Sequence, residues 1–357
     1  MMLIIFSLLL LLSFYLLARI CDEYFVNSLD RVSEKLKLSS DVAGATLMAV
    51  GSSAPELFVA IIALLKPGDH AAIGMGAIVG SAIFNILVII GVTAVVRKAV
   101  LSWQPVVRDT MFYSISIIML VFAFRDGVIV LEEALLFVGM YVVYVIAVFN
   151  WRRILPYKDL DIIEEVREHL EDQKKKKRSF WNIRTLLLPF DWLLSKIFPP
   201  AKYYYAVFFV SIITIAGLSW VLVDSAVIIA GILKIPEVIV ALTIIAVGTS
   251  VPDLISSVIV AKQGRGGMAI SNAIGSNIFD ILFGLGVPWT IMLALGQPSI
   301  VVGTTTLISS VILLFATVLV IFFLLLSKRW KIGKHSGYFL IALYLVYLLW
   351  SILQAYS

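Results

Sequence analysis

The amino-acid sequence predicts an all-α polytopic membrane protein with ten transmembrane helices, arranged as two inverted five-helix repeats with broken helices at the midplane. Three observations support this fold class. Of the 357 residues, 61% are hydrophobic and only 14% are charged, and the mean hydropathy is +1.04. The apolar runs are continuous, whereas a β-barrel would show short alternating segments. Two short motifs of the first half return in the second half.

Ten apolar runs are separated by Gly, Pro and charged clusters, and about 20 apolar residues suffice to cross a bilayer. We expect helices near residues 2–28, 40–65, 70–95, 105–124, 129–150, 203–233, 237–262, 266–293, 300–326 and 336–355. The first run lacks a basic leader and a small-residue cleavage site, so it is interpreted as a retained helix and not a signal peptide. Residues 1–150 then form the first repeat and residues 203–357 the second.

The connection between the repeats, residues 151–202, is the only sizeable polar segment of the sequence. Seven acidic residues between Asp159 and Asp172 precede the basic run from Lys174 to Arg178. Acid at the start of a helix and base at its end suit the helix dipole, which predicts a charged amphipathic helix. The basic run could also contact anionic lipid head groups. No EF-hand pattern supports a calcium-sensing role for this loop.

The distribution of Lys and Arg orients the predicted helices, because cytoplasmic connections are enriched in both. One set of alternate connections holds Arg31, Lys35, Lys37, Arg97, Lys98, Arg108, Lys262, Arg265, Lys328, Arg329, Lys331 and Lys334. The central connection, on the same side, adds twelve more, whereas the opposite connections hold Lys66, Arg125 and Lys234. The first side is therefore predicted to be cytoplasmic, with both termini outside, and two repeats of five helices run in opposite directions.

The first repeated motif places a carboxylate directly after a proline inside a long apolar run. Residues 49–56 read Ala-Val-Gly-Ser-Ser-Ala-Pro-Glu, and residues 246–253 read Ala-Val-Gly-Thr-Ser-Val-Pro-Asp. Proline interrupts a helix, so we expect breaks within Gly51–Pro55 and Gly248–Pro252, with freed carbonyls that line a cavity. A charge at membrane depth is costly and usually marks an ion or proton pathway. The neighbouring hydroxyls are those of Ser52, Ser53, Thr249 and Ser250.

The second motif supplies further polar side chains at equivalent positions. Gly-Ser-Ala-Ile-Phe-Asn-Ile-Leu at 80–87 matches Gly-Ser-Asn-Ile-Phe-Asp-Ile-Leu at 275–282. Ser81 and Ser276 correspond to each other, while Asn85 corresponds to the acidic Asp280. Hydroxyls, carbonyls and the carboxylates Glu56, Asp253 and Asp280 form an oxygen-rich set that suits Ca²⁺ and, with its neutral members, Na⁺. Three negative charges match one Ca²⁺ and one monovalent ion, unless Asp280 carries a proton.

These four motifs resemble the two α-repeats of the cation/calcium antiporter superfamily. The second half is most similar to the potassium-dependent sodium/calcium exchangers, in Val251-Pro252-Asp253, Lys262-Gln263-Gly264, Ser271-Asn272 and Gly275 to Asp280. The resemblance implies an alternating-access antiporter that exchanges Na⁺ for Ca²⁺, with K⁺ transported alongside Ca²⁺. The short central loop implies that the large regulatory domains of animal sodium/calcium exchangers are missing, and the small size implies a prokaryotic member located in the plasma membrane.

The resemblance also assigns roles to individual residues. Glu56 and Asp253 would be the central Ca²⁺ and Na⁺ ligands, with Asn85 between them at the midplane. Asp280 falls where the potassium-dependent branch has its potassium-associated aspartate. The accessory ligands would be the hydroxyls of Ser52, Ser53, Thr249, Ser250, Ser81 and Ser276 and the carbonyls of Ala49 and Ala246.

Three alternatives remain open at this point. The first is a potassium-independent exchanger with a protonated Asp280. The second is a Ca²⁺/H⁺ exchanger of the same superfamily, although those usually carry Gly-Asn-x-x-Glu where this chain has hydroxyls. The third is a cation channel, which would need a continuous pore.

Other classes of function lack support in the sequence. We expect no enzyme activity, no cofactor and no nucleic-acid partner beside the transported ions and the lipid bilayer. Cys21 is the only cysteine, which excludes an internal disulfide and a cysteine-based metal site. The three histidines, His70, His169 and His335, lie in polar connections and are interpreted as ordinary loop residues.

Overall fold

The computed structural model describes residues 2–25, 27–28, 31, 35, 49–68, 70–155, 192, 194, 196–262, 266–302 and 305–355. In this part of the chain, eight helices are long and apolar enough to cross a membrane. Shorter apolar helices in 49–65 and 237–262 supply two further crossings, in agreement with the ten that the sequence predicts. The predicted start of the second helix, at 40–48, and the predicted cytoplasmic helix lie outside the described residues.

The helices of the first repeat are α1 (Met2–Ile20), α2 (Ala49–Ser52), α3 (Ala54–Leu65), α4 (Ala71–Phe84), α5 (Ile90–Val96), α6 (Trp103–Ala123) and α7 (Leu131–Ile154). Those of the second are α8 (Tyr204–Leu233), α9 (Glu237–Val240), α10 (Ala246–Thr249), α11 (Val251–Lys262), α12 (Gly266–Phe279), α13 (Gly286–Ala294), α14 (Thr305–Ser327) and α15 (Lys334–Ala355). Four two-residue strands are β1 (Ala99–Val100), β2 (Val128–Ile129), β3 (Ile300–Val301) and β4 (Lys331–Ile332).

Both motif helices are interrupted where the prolines predict. The interruption is a single residue in each repeat, Ser53 between α2 and α3 and Ser250 between α10 and α11. Ser53 has φ −91° and ψ 9°, and Ser250 has φ −82° and ψ 1°. These nearly identical angles lie in the sparsely populated region between the helical and extended conformations. The same sequence signal therefore bends the backbone in the same way in both halves.

Turns of π-helix join several of these segments. One spans Asn85–Ile89 between α4 and α5, and another spans Asp280–Leu285 between α12 and α13. A third, Ala241–Ile245, joins α9 to α10. Single π-turns within α-helices are rare and occur frequently at functional sites. Two of these three begin at the equivalent positions Asn85 and Asp280, and a fourth π-turn, Cys21–Phe25, follows α1.

The two repeats pack on each other through equivalent pairs of helices, so that these contacts of one repeat have counterparts in the other. Helix α6 of the first repeat packs on α12 of the second, and α14 of the second packs on α4 of the first. Likewise α7 packs on α13 while α15 packs on α5. The peripheral helices α1 and α8 contact each other directly. Such reciprocity is what two-fold related repeats produce, and it encloses the four motif segments in the centre.

Short strands and polar contacts join connections that the charge distribution assigns to the same side. Strand β1 pairs with β4, both on the predicted cytoplasmic side, and β2 pairs with β3 on the other side. The predicted helix 300–326 consequently begins later, at Thr305, because residues 300–301 are drawn into this pairing.

Ion pairs follow the same pattern as the strands. On the predicted outer side Lys66 pairs with Asp224, and His70 contacts Glu237 at 2.8 Å. On the other side Arg97 donates to the carbonyl of Lys262 at 3.5 Å. His70 thus has a structural partner at the junction between the repeats.

One basic residue counted for the orientation does not lie in a connection. Arg108 is buried within α6, where its guanidinium donates to Asp109 at 2.7 and 3.1 Å. Tyr144 donates to the same carboxylate at 3.2 Å. A buried charge is tolerated only when it is paired and hydrogen-bonded, as it is here. Assigning Arg108 to the cytoplasmic connection was wrong, although the excess of positive charge on that side persists without it.

Glycines bring the motif helices close together. A Cβ atom on Gly80 would lie 2.3 Å from the carbonyl oxygen of Leu242 and 2.7 Å from Cβ of Ala246. A Cβ on Gly74 would lie 2.8 Å from Cα of Ala60. These distances are too short for any side chain, so both positions require glycine for the helices to pack this closely.

We expect Gly80→Ala to destabilise the protein by about 1–3 kcal/mol, because the added methyl group overpacks a contact with rigid backbone. The measurement is the thermal unfolding midpoint in detergent. Gly139→Ala is the matched control, since a Cβ there meets no atom within 4 Å and alanine favours a helix over glycine. Equal melting temperatures for the two variants would contradict the packing role of Gly80.

Candidate ion-binding site

The two motif carboxylates stand at the first turns of α3 and α11, directly after the interruptions. Glu56 and Asp253 are both fully buried. Each directly follows a proline, and a proline has no backbone N–H to donate to the preceding turn. The carbonyls of Gly51 and Gly248, four residues before those prolines, therefore lose their helical donor. Two acidic side chains and backbone oxygens without a helical donor are placed at equivalent points of the two repeats.

Glu56 is surrounded by hydroxyls from both repeats. Ser81 and Ser250 each donate to Oε1 of Glu56 at 3.3 Å, and their own oxygens are 2.8 Å apart. Ser250 also contacts the carbonyl of Ala246 at 2.7 Å. Ser81 belongs to the first repeat and Ser250 to the second, so the Glu56 environment is completed only when the two repeats meet.

Asp253 has the corresponding environment. Ser276 donates to Oδ1 of Asp253 at 3.5 Å, as Ser81 does to Glu56. Ser276 lies 3.5 Å from the hydroxyl of Ser52, which comes from the first repeat. On its other oxygen, Asp253 accepts a hydrogen bond from Nδ2 of Asn85 at 3.3 Å. The pseudo-symmetric prediction from the motif alignment therefore extends to side-chain contacts.

Several oxygens in this region have no hydrogen-bond partner within the described part of the chain. They are Oγ of Ser53, Oε2 of Glu56, Oδ1 of Asn85 and both carboxylate oxygens of Asp280. All four residues are fully buried. An unsatisfied buried polar group costs about 1–3 kcal/mol, and more if it is charged, so each needs an explanation. Bound cations would supply partners for these oxygens.

Asp280 is the third carboxylate of the motif segments, and it is also fully buried. It begins the π-helical turn Asp280–Leu285, which packs on α3 and α4 of the first repeat. Among the described residues, no three His, Cys, Asp or Glu side chains lie close enough together to hold one metal ion by themselves, so the assignment of Asp280 as an ion ligand stays a prediction.

The remaining predicted ligands are buried, and their oxygens already take part in hydrogen bonds within the protein. The carbonyl of Ala49 accepts the amide of Ser53 at 3.0 Å, and that of Ala246 accepts the amide of Ser250 at 3.3 Å. Thr249 donates to the carbonyl of Ile245 at 3.1 Å. The carbonyl of Ala246 also accepts the hydroxyl of Ser250 at 2.7 Å, so a cation that binds there must replace that hydroxyl as its partner.

The sequence interpretation missed Asn277. Its amide donates to the carbonyl of Ala82 at 3.1 Å and to the hydroxyl of Tyr113 at 2.9 Å, and its oxygen accepts from Asn85 at 2.8 Å. Ala82 is the residue equivalent to Asn277 in the other repeat, so their contact places both near the pseudo-two-fold axis. The available signal was an amide in the second motif where the first has alanine.

Comparisons with known proteins agree with this architecture. The family model for "Sodium/calcium exchanger protein" matches residues 6–150 and 203–353. Mouse sodium/potassium/calcium exchanger 4 is 28% identical over an alignment that covers 96% of this chain and 80% of that protein. Human sodium/potassium/calcium exchanger 5 is 32% identical, with 82% of this chain and 71% of that protein covered.

Solved structures of the sodium-calcium exchanger NCX_Mj share the fold. One, soaked with Na⁺ and Sr²⁺, gives a TM-score of 0.60 at 23% identity and covers 96% of this chain and 98% of that one. At this identity the similarity concerns the fold. The family model matches well over half of the chain, which confirms the resemblance carried by the four motifs. The chain belongs to the sodium/calcium exchanger family.

Proposed function

We propose that this protein is a secondary antiporter that exchanges Na⁺ for Ca²⁺ across the membrane by alternating access, with K⁺ transported together with Ca²⁺. One observation carries the proposal: the motif segments bury oxygens that have no hydrogen-bond partner among the described residues. These oxygens belong to Ser53, Glu56, Asn85 and Asp280. Neutral hydroxyls and amides stand beside acidic oxygens, and both repeats contribute. Family membership and the exchangers among the relatives support the same conclusion.

Ca²⁺ would bind between Glu56 and Asp253. The two charges neutralise a divalent ion, and Ca²⁺ takes six to eight oxygen ligands in flexible geometry. Hydroxyls of Ser81, Ser250 and Ser276 already contact these carboxylates and can turn toward the ion. Hydroxyl rotors reorient at low cost, so the same side chains serve as donors without the ion and as ligands with it.

Na⁺ would use the same carboxylates together with more of the neutral oxygens. A monovalent ion is satisfied by fewer charges, so Na⁺ bound near Ser52, Thr249 or the carbonyls of Ala49 and Ala246 competes with Ca²⁺ for shared ligands. Shared ligands prevent both ions from occupying the central position together. Competition for one site is the requirement for exchange.

The burial of Glu56 and Asp253 explains why transport would be obligatorily coupled. Moving two unneutralised charges through a low-dielectric region costs several kcal/mol per charge. Only a site loaded with cations can then change its exposure from one side to the other. The empty site stays where it is, and net leakage of either ion is suppressed.

Asp280 would provide the charge for K⁺. It is fully buried, and its carboxylate oxygens have no hydrogen-bond partner among the described residues. The relatives named sodium/potassium/calcium exchangers support this assignment. The alternative is a potassium-independent exchanger in which Asp280 carries a proton. A Ca²⁺/H⁺ exchanger is less favoured, because hydroxyls of both repeats contact Glu56.

The proposal includes a membrane orientation and a division into repeats. Residues 1–150 and 203–357 would be the two five-helix repeats, and residues 151–202 would lie in the cytoplasm with both termini outside. Contacts between connections of the same side, such as β1 with β4, support this arrangement. The positive-inside excess gives its direction, and the plasma membrane of a prokaryote is the expected location.

The test is ion flux into proteoliposomes that contain the purified protein. Vesicles loaded with Na⁺ are diluted into Na⁺-free buffer with labelled Ca²⁺, and K⁺ and H⁺ gradients are imposed one at a time. We expect Ca²⁺ uptake only with an outward Na⁺ gradient and faster uptake with external K⁺. Uptake driven by a proton gradient alone would favour the Ca²⁺/H⁺ alternative, and uptake without any counter-ion would favour a channel.

A further inference from the structure

A second group of buried polar side chains with unsatisfied oxygens lies one to two helical turns from the site. It lies toward the side of the membrane that carries the excess of Lys and Arg, called the basic side below. This polar layer consists of Thr93 on α5, Ser257 on α11 and Asn272 on α12. Their exposed fractions are 0%, 1% and 4%, and Oγ1 of Thr93, Oγ of Ser257 and Oδ1 of Asn272 have no hydrogen-bond partner among the described residues.

The unpartnered hydroxyls are unusual for this protein. Many Ser and Thr side chains in its helices donate to a carbonyl of the preceding turn, as Ser211 does to Val207 at 2.8 Å and Ser225 does to Val221 at 2.7 Å. That bond is the usual way to satisfy a hydroxyl in an apolar environment. Thr93 and Ser257 do not make it. Their hydroxyls therefore remain available to another partner.

Helix geometry places the layer between the site and the basic surface. Ser257 follows Asp253 by four residues and Asn272 precedes Ser276 by four, so each lies about 6 Å along its helix on the same face as a site residue. Helices α5, α11 and α12 contact one another. At the surface, Arg97 reaches the carbonyl of Lys262, one turn beyond Thr93 and Ser257.

The opposite side of the site has no such layer at the equivalent positions. The residues that correspond to Ser257 and Asn272 are Ala60 and Ala77, both buried and apolar. Gly74 lets α4 approach the backbone of Ala60 closely, which leaves no room for a side chain there. The two repeats are thus alike at the ion ligands and differ one turn away from them.

We propose that Thr93, Ser257 and Asn272 line the path by which hydrated Na⁺ and Ca²⁺ move between the site and the basic side of the membrane. This inference rests on the proposed exchange function and assigns the access route of the same site. The three oxygens replace part of the water shell as an ion passes, and Arg97, which donates to the carbonyl of Lys262, lies at the surface end of the path. An apolar constriction would exclude water at the same point.

The first test measures flux and binding separately. Thr93→Val and Asn272→Leu keep the side-chain volume nearly unchanged but remove the oxygens. We expect each to lower the maximal rate of Na⁺-driven Ca²⁺ flux at least about tenfold, because a partly dehydrated ion loses an oxygen ligand on the way, while equilibrium Ca²⁺ binding stays within about twofold. Ser219→Val removes another buried unpartnered hydroxyl, on α8, and should transport normally.

The second test measures accessibility and does not depend on transport. Ser257→Cys and Ser219→Cys are made in a Cys21→Ala background, and an impermeant thiol reagent is applied to vesicles of either orientation. We expect modification of the cysteine at 257 from the basic side, with protection by Ca²⁺, and none of the cysteine at 219. Normal flux in both oxygen-removing variants, or modification at 257 from the opposite side, would overturn the path. Failure of wild-type exchange would instead overturn the proposed function.

Discussion

Replacing either central carboxylate, by Glu56→Gln or Asp253→Asn, is expected to reduce Na⁺-driven Ca²⁺ uptake at least about 100-fold. A divalent ion that loses its water shell here would retain one negative charge in place of two. Breaking a buried charge pairing costs about 3–5 kcal/mol, and each 1.4 kcal/mol is a factor of ten. The measurement is initial uptake of labelled Ca²⁺ into Na⁺-loaded proteoliposomes at equal protein density.

Stability separates a transport role of these carboxylates from a structural one. Burying a carboxylate without a cation is costly, and Glu56 and Asp253 are both fully buried, so neutralising one should leave the melting temperature of the ion-free protein unchanged or higher. In the wild type, Ca²⁺ should raise the melting temperature by mass action, and in the variants it should not. Glu132→Gln, at the exposed start of α7, is the control and should transport normally. Near-normal flux in either site variant would remove Glu56 and Asp253 from the proposed site.

The second large effect is expected from Asp280→Asn. The equivalent residue is Asn85, so this change gives both repeats the same neutral amide with little change in volume. If Asp280 is ionised during transport, its charge offsets a third positive charge, and K⁺ is the proposed ion. We expect wild-type Ca²⁺ flux to rise with K⁺ on the Ca²⁺ side, and the variant to exchange Na⁺ for Ca²⁺ without a response to K⁺.

The measurement is initial Ca²⁺ flux against K⁺ concentration, at a fixed Na⁺ gradient and a clamped membrane potential. Clamping is needed because K⁺ gradients also set the voltage, and one charge moved through 100 mV is worth about 2.3 kcal/mol. Replacing K⁺ by choline at constant ionic strength is the control. Wild-type flux that is flat across K⁺ would favour a protonated Asp280 and the potassium-independent alternative.

The motifs identified the site because its chemistry is local in sequence. A carboxylate after proline, flanked by hydroxyls and repeated near 200 residues later, marks Glu56 and Asp253 without reference to other residues. The helix interruptions at Ser53 and Ser250 follow from the same prolines. The site that encloses Glu56, however, needs Ser81 and Ser250, which are 169 residues apart.

Other features could not be predicted from the sequence, because they depend on how the helices are rotated and spaced relative to each other. From the sequence, Arg108 is assigned to a basic connection next to a predicted helix, but it is buried and paired with Asp109. Asn277 reads as one more polar residue of a motif but bridges Asn85 and Tyr113. Hydropathy and charge counts cannot distinguish a buried ion pair from an exposed one.

By itself, then, the sequence determined the membrane class, the ten crossings, the repeat and the acidic residues of the candidate site, since composition, periodicity and proline chemistry are encoded along the chain. The tertiary structure alone decided which hydroxyl meets which carboxylate. It also decided that the polar layer of Thr93, Ser257 and Asn272 lies on one side of the site. The physical reason is packing: close contacts such as Gly80 against Leu242 fix the rotation of each helix, and rotation decides where every side chain points.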